Sequence, residues 1–215
     1  MDKLFRHAEF AELYRSVPNS EECRNLSQAL ASIAAEYELS MAGLSEKEKI
    51  RTMFGDFDSL KGHEVEHLVN VLKVKRSNLS FDLAIVGLDF SGHRSSQGRS
   101  KVIEYEMLAL VNINKDLGRV FISPESFADK VFEFFNPIEI DFPEDKVFSD
   151  KYYVLSGDAG KVRAGLDAKL RLAIAGFDNL YLECTGTKMI IRVQDEISAE
   201  NIKTICHAAF SILKA

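Results

Sequence analysis

The sequence has few cysteines, no excess of positive charge and no long apolar run. Its three cysteines, Cys23, Cys184 and Cys206, are widely separated along 215 residues. An odd number of dispersed cysteines argues against a disulfide framework and is typical of reduced thiols in a cytosolic protein. The formal net charge is −6 at pH 7, whereas a general nucleic-acid binder needs a basic face that neutralises phosphates. We therefore predict no nucleic-acid partner.

No stretch is apolar over the length that a membrane-spanning helix requires. The apolar run 107–111 is followed at once by Asn112. The first ten residues carry charged side chains where a signal peptide needs its apolar stretch. We therefore predict a cytoplasmic protein without a membrane span.

The composition is that of an ordinary folded protein, with 46% hydrophobic and 28% charged residues, which excludes a disordered chain. No internal repeat or low-complexity linker is visible. We predict a single α+β domain over 1–215, with a largely antiparallel sheet covered by helices. Its segments are predicted to be mainly helical over 1–55, β-rich over 56–122, and mixed over 123–215 with a βαββα ending.

Helical spacing dominates the first segment. Ser20 is a suitable N-cap residue, and helices are also predicted over 3–16 and after Ser45. The predicted buried stripe of the central helix recurs at helical spacing and consists of Cys23, Leu26, Leu30, Ile33 and Tyr37.

Strand periodicity begins after residue 56. Apolar side chains alternate with polar ones over 103–113, which predicts a strand with one face directed at a core. The stretch 81–90 is apolar on both faces, as expected of a central strand. The polar residues 91–100 between them predict a hairpin connection.

The segment 123–215 contains both helical and strand periodicity. Ser123 and Pro124 are predicted to begin a helix, because serine can cap it and proline suits the first helical position. Strands are predicted over 138–142 and 152–156. Asp158 is predicted to cap one helix whose buried stripe is Val162, Leu166, Leu170 and Ile174.

A hairpin and a helix are predicted to end the chain. The hairpin joins 180–184 to 188–193 around Gly186. Ser198 is predicted to cap the final helix, whose inward residues are Ile202, Ile205, Ala209 and Ile212.

Five short motifs follow one another through the second half of the chain. They are FISPE (121–125), IEIDF (138–142), FSDKY (148–152), VLSGD (154–158) and VR (162–163). In this order they resemble an uncharacterised prokaryotic family of small α+β proteins, known only as a domain of unknown function. Weaker likeness extends back through 70–72 and 81–82 to the helix that ends near Tyr37.

The resemblance implies an α+β fold. It implies no activity, cofactor or catalytic residue, because none is established for the family. In many similar proteins the unit follows membrane-spanning segments, and this sequence contains none.

The stretch 63–67, HEVEH, matches the HExxH pattern of zinc proteases and also its inverted form. As an alternative function we therefore consider a zinc-dependent hydrolase, with His63 and His67 as metal ligands and Glu64 as the catalytic base. This chemistry needs both histidines on one helical face. Gly62 and the alternating valines that follow favour a strand instead. On a strand the two histidines lie about 13 Å apart, too far for one zinc ion.

A basic loop provides a weaker alternative. His93, Arg94, Arg99 and Lys101 form a polar stretch without acidic residues. Such a loop can contact a phosphate or an acidic partner, and a solvated hairpin tip is the competing interpretation.

Other charged residues are interpreted structurally. The stretch 155–162 resembles a phosphate-binding loop but has leucine and valine where glycine and serine or threonine are required. Arg163 is expected to pair with Asp158 or Asp141 and so to join helix to sheet. Solvated loop charge is predicted for the acidic residues, with a calcium-like site as the alternative. These residues are Glu139, Asp141, Glu144, Asp145 and Asp150.

Nucleophilic catalysis has little support in the sequence. Cys206 and His207 are adjacent on a predicted helix, so their side chains diverge by about 100°. Cys23 and Cys184 are predicted to be small core residues. The leading prediction is therefore a non-enzymatic module that binds a protein or small-molecule partner, without a cofactor, and an oligomer is compatible with the sequence.

Overall fold

The structure, a computed structural model, describes residues 20–61, 65–89, 103–124, 138–193 and 197–215. The chain forms two compact units. The first unit comprises Met1–Leu108 and Asp195–Lys203, and the second comprises Ala109–Gln194 and Thr204–Ala215. The single domain predicted over 1–215 stays a prediction.

The first described helix, α1 (Ser20–Ala34), buries an apolar stripe in the first unit. Leu26, Leu30 and Ile33 are buried as predicted. Tyr37 is buried too, but it lies beyond the end of the helix. The side chain of Cys23 and the helix predicted over 3–16 lie outside the described residues.

Three short elements follow α1. They are the strand β1 (Glu38–Met41) and the helices α2 (Leu44–Phe54) and α3 (Asp58–Lys61). The α2 helix confirms the short helix predicted after Ser45. The β1 strand was not predicted, because four residues are too few to establish a period against a helical background.

A long antiparallel hairpin completes the described sheet of the first unit. It consists of β2 (Val65–Arg76) and β3 (Leu79–Asp89), and β1 pairs with the free side of β2. Ser77 in the connecting turn has a positive φ of 57°. Two irregularities near the start of β2 shift its register against β3. The apolar stretch predicted as a strand over 81–90 is therefore a strand.

The strand β4 (Ile103–Asn112) confirms the predicted strand and continues across the division between the units after Leu108. Residues 107–111 are all buried, so both faces of this part of the strand are covered and not only one. It is followed by β5 (Arg119–Pro124), which pairs with two other strands of the second unit. The prediction that Ser123 and Pro124 begin a helix is wrong. Both residues pair with the neighbouring strand. Proline has no N–H to donate to a strand partner, so it is tolerated at the end of a strand, where that donor is not needed. The rest of the predicted helix lies outside the described residues.

The second unit continues with β6 (Ile138–Glu139), α4 (Lys146–Ser149) and β7 (Tyr152–Ser156). The strand predicted over 138–142 thus ends earlier than expected, although Ile140 N still donates to Val154 O at 2.8 Å. The strand predicted over 152–156 is confirmed.

Two helices occupy the place of the single helix predicted after Asp158. They are α5 (Ala159–Gly165) and α6 (Ala168–Ala175). Asp167 caps α6 by accepting a hydrogen bond from Leu170 N at 3.0 Å. The prediction of one helix was wrong although its four stripe positions are all buried. The buried pattern continues across the turn between the two helices, so it does not reveal the break.

The chain ends with β8 (Leu180–Thr185), β9 (Lys188–Val193) and α7 (Ala199–Lys214). Gly186 takes φ of +65° in the hairpin turn, which glycine adopts without strain. Ser198 Oγ accepts from Asn201 N at 3.1 Å, which confirms the predicted cap. The predicted inward residues of the last helix are buried.

Within the second unit the strand order is β9-β8-β5-β7-β6. Each of these neighbouring pairs is antiparallel, as are β1-β2 and β2-β3 in the first unit. The predicted fold class is thereby confirmed: an α+β protein with mostly antiparallel strands, covering helices and an N-terminal helical segment. No helix among the described residues is long and apolar enough to cross a membrane.

Candidate functional site

The predicted zinc motif lies partly outside the described residues, which include neither His63 nor Glu64. The backbone of Val65 and His67 belongs to β2 and pairs with β3, so the second half of the motif is extended as predicted. A zinc protease needs one helix through both histidines. Over the ranges that the structure describes, no three His, Cys, Asp or Glu side chains form a possible metal site. The hydrolase alternative stays a prediction.

The basic loop lies wholly outside the described residues. His93, Arg94, Arg99 and Lys101 are therefore not placed, and their predicted role in binding an anion or a partner stays a prediction. A phosphate-dependent rise in melting temperature that Arg94→Ala/Arg99→Ala abolishes would support it.

The stretch that resembles a phosphate-binding loop is a capped helix start. Asp158 Oδ1 accepts from Lys161 N at 2.9 Å, which confirms the predicted N-cap. The Lys161 ammonium lies 2.8 Å from Asp116 Oδ2. Hydrogen bonds from Lys161 and from Gly118 N–H lower the pKa of Asp116, and the bond to Asp116 raises the pKa of Lys161. The lysine is thus held by its own chain.

Arg163 contacts an aromatic ring. Its guanidinium carbon lies 5.6 Å from the centroid of Phe142, and the side chain is exposed. Asp158 acts as a helix cap and Asp141 is exposed. Among the described residues Arg163 forms no ion pair with Asp141 or Asp158, so the predicted ion pair is absent from this part of the chain.

The acidic stretch contributes two carboxylates to one arginine. Arg171 Nε lies 2.9 Å from Asp145 Oδ2, and Arg171 Nη2 lies 3.2 Å from Glu144 Oε1. Arg171 Nη1 also donates to Leu166 O at 2.9 Å. The arginine side chain is only 7% exposed, so these partners compensate its desolvation. Glu139, Asp141 and Asp150 are exposed, as predicted for solvated charge.

Arg171 fixes three elements at once. Asp145 also caps α4, since its Oδ1 accepts from Phe148 N at 3.3 Å. Leu166 lies between α5 and α6, and Arg171 itself belongs to α6. A single guanidinium therefore joins the start of α4, the end of α5 and the interior of α6, which contacts α4.

Aromatic rings lie under this arginine. The guanidinium carbon of Arg171 is 4.6 Å from the centroid of Phe142, so two arginines contact the same ring. Phe142 packs edge-to-face on Phe148, and Phe148 stacks on Tyr152, with both centroid distances 5.7 Å. Burial raises the pKa of Tyr152 to about 12, and its hydroxyl donates to Phe177 O at 2.9 Å. The cluster is buried and closely packed.

Two large apolar side chains are exposed next to this cluster. Val147 on α4 is 66% exposed and Leu172 on α6 is 72% exposed. Each is adjacent in sequence to a member of the cluster, Val147 to Phe148 and Leu172 to Arg171. We use the name arginine surface for the exposed Val147, Arg163 and Leu172 together with the buried Phe142 and Arg171.

The first unit holds a second group of charges. Lys73 Nζ lies 3.4 Å from Glu46 Oε1 and faces Asp82 across β2 and β3. A hydrogen bond from Gly43 N–H and the contact with Lys73 lower the pKa of Glu46. Burial raises the pKa of Asp82, Lys73 opposes this and Glu46 adds to it. Since the lysine is 42% exposed, this group ties α2 to the sheet through solvent-screened contacts.

The described cysteines are core residues, as predicted. Cys184 and Cys206 are both buried and neither forms a disulfide with a described residue, and burial raises the pKa of the Cys184 thiol. A raised pKa disfavours the thiolate, which is the nucleophilic form. The side chain of Cys23 is not described.

Sequence patterns did not indicate the arginine surface. Arg171 stands between two leucines in an apolar helix, and nothing local to it shows that its charge meets partners 26 and 27 positions earlier in the chain. The available signal was the adjacent acidic pair Glu144 and Asp145 before a helix start. If such a pair is buried, it needs a cation nearby.

No protein family, curated protein or solved structure matches the chain. The predicted resemblance to a prokaryotic family of unknown function therefore stays a prediction, and the function has to be argued from the geometry of the described residues.

Proposed function

We propose that the protein is a non-enzymatic, cytoplasmic interaction module that binds a partner through the arginine surface. The observation that supports this is the exposure of Val147 and Leu172 on two helices that contact each other. Scattered exposed apolar residues are ordinary. These two are each adjacent in sequence to a buried member of one cluster, on helices that contact each other. The proposal assigns both to one exposed apolar patch, the kind of surface that marks interaction sites.

The close packing of the cluster supports the same proposal. The Arg171 contacts and the stacked rings hold α4 and α6 in place before a partner arrives. A surface that is ordered in advance loses less conformational entropy on binding. Covering a valine or a leucine removes its apolar area from water, which contributes roughly 1.5–3 kcal/mol for each side chain that is fully buried.

The arginine of this surface supports the same proposal. Arginine is enriched at protein interfaces and among the residues that contribute most to binding. The exposed Arg163 belongs to the arginine surface and contacts the Phe142 ring.

Affinity capture with matched variants tests the proposal. The immobilised protein is compared with Val147→Ser/Leu172→Ser in a lysate of the source organism, and bound proteins are quantified by mass spectrometry. Leu44→Ser is the control, because Leu44 is 83% exposed but belongs to the first unit. We expect a reproducible set of bound proteins that the double variant loses and the control keeps. An identical set for all three proteins would contradict the proposal.

A further inference from the structure

We infer that the partner of the arginine surface presents a carboxylate beside apolar side chains, so that an acidic and apolar peptide segment pairs with Arg163. This inference rests on the proposed function and names the chemistry of the segment that binds.

The two arginines on the Phe142 ring differ in their partners. Arg171 is buried and is neutralised by Glu144 and Asp145. Arg163 is exposed, and in the part of the chain that the structure describes no carboxylate forms an ion pair with it. Its guanidinium rests on the ring and keeps its N–H donors for another molecule. Among the described residues, the arginine surface therefore has one arginine that no carboxylate neutralises.

The ring contact makes Arg163 suitable for recognition. A cation–π contact with the ring at 5.6 Å favours one position of the guanidinium, so less rotamer freedom is lost when a carboxylate binds. An arginine fork matches a carboxylate with two parallel hydrogen bonds. In the inferred complex, Val147 and Leu172 contact the apolar residues of the bound segment and help to exclude water from this pair.

Neighbouring negative charges limit the expected preference of Arg163 for an acidic segment. Asp141 precedes Phe142 in the chain and is exposed, while Glu144 is already paired with Arg171. Asp141 therefore reduces the positive potential near Arg163 without an ion pair. The inference requires that Asp141→Asn strengthen the binding of an acidic segment.

A display library of short linear peptides tests the inference with four baits. The baits are the parent, Arg163→Glu, Asp141→Asn and Val147→Ser/Leu172→Ser, each checked by circular dichroism. The parent should enrich peptides that combine large apolar residues with Asp or Glu. Arg163→Glu should shift the preference from acidic to basic residues and keep the apolar ones. Asp141→Asn should enrich the acidic peptides more strongly than the parent does.

The affinity of one enriched peptide then gives the size of the effect. Replacing its acidic residue by the matching amide should weaken binding to the parent roughly fivefold. The same replacement should leave binding to Arg163→Glu unweakened. Added salt should reduce the difference between the two peptides, because exposed charges are screened.

The outcomes separate the two claims. If the parent enriches apolar peptides without acidic preference, or if Arg163→Glu keeps the acidic preference, the inference about the carboxylate is overturned. The proposed function survives that result as long as the double apolar variant loses the enriched set. If the double variant enriches the same peptides as the parent, or if the parent enriches none, both claims fail.

Discussion

Each unit of this protein places one basic side chain near two carboxylates, but the surroundings of the two side chains differ. In the second unit Arg171 is 7% exposed and contacts Asp145, Glu144, a carbonyl and an aromatic ring. In the first unit Lys73 is 42% exposed and reaches Glu46 at 3.4 Å. Burial decides how much such a group contributes, since solvent screens an exposed pair and leaves a buried one costly to break.

The largest effect is expected from removing each cation in turn. Arg171→Met should lower the free energy of unfolding by roughly 3 kcal/mol, because it leaves the Asp145 carboxylate partly buried without its partner. Lys73→Met, the matched change in the first unit, should lower it by less than about 1 kcal/mol. Urea unfolding followed by circular dichroism measures both. Equal losses would show that burial does not distinguish the two groups.

A control distinguishes lost charge pairing from lost packing at Arg171. The triple variant Arg171→Met/Glu144→Gln/Asp145→Asn removes all three charges, and asparagine can still cap α4. It should be more stable than Arg171→Met alone, because no buried carboxylate remains unpaired. If it is less stable, the arginine acts mainly through its packing on Phe142.

Close packing near the α5–α6 corner should give the next largest effect. A Cβ at Gly165 would lie 2.5 Å from Leu117 Cδ2, so Gly165→Ala should cost about 2 kcal/mol. Gly157→Ala is the control, because a Cβ there would meet nothing within 4 Å. We expect the control to change stability by less than about 0.5 kcal/mol. If both variants have the same urea midpoint of unfolding as the parent, the packing around Gly165 is loose and the prediction is contradicted.

Helix capping provides a smaller contrast between the units. Asp158 caps α5 with its side chain, whereas Gly43 at the start of α2 has none to offer. Asp158→Ala should lower the free energy of unfolding by about 1 kcal/mol. Gly43→Ser should raise it by a few tenths of that amount. Urea unfolding curves of the two variants measure both changes in the free energy of unfolding. A lower free energy of unfolding for Gly43→Ser would show that serine does not cap α2.

The smallest effect is a dependence on pH in the first unit. Burial raises the pKa of Asp82 above its ordinary value of 3.8. The folded state therefore binds a proton more tightly than the unfolded state, and this residue's contribution to stability falls as the pH rises from 3.8 through the folded pKa. Asp82→Asn removes that loss, so its stability relative to the parent should increase over this interval. Unfolding curves measured across the acidic range test the sign, and a relative decrease would contradict it.

Local signals predicted much of the fold. The β8–β9 hairpin, the caps at Asp158 and Ser198 and the apolar strand over 81–90 each depend on residues that are neighbours in sequence, so their patterns are visible without the structure. The strand β1 and the break between α5 and α6 were missed. The break is marked only by Gly165 and Asp167, and the buried stripe continues across it.

The candidate site was much less predictable. Glu144 and Asp145 were interpreted as solvated loop charge because the sequence does not show which cation folds back onto them. Their partner, Arg171, lies in an apolar helix where a charged residue is usually assigned to the solvent face. The pairing of distant residues is set by the sheet of the second unit, which brings the two segments together.

The binding of an enriched peptide to three proteins tests the central claim most directly. Fluorescence anisotropy with a labelled peptide gives the affinity for the parent, for Val147→Ser/Leu172→Ser and for Leu44→Ser. We predict that the double variant binds at least about tenfold more weakly, which corresponds to roughly 1.4 kcal/mol, and that Leu44→Ser binds as the parent does. Equal affinity of the parent and the double variant would contradict the assignment of the arginine surface as the binding site.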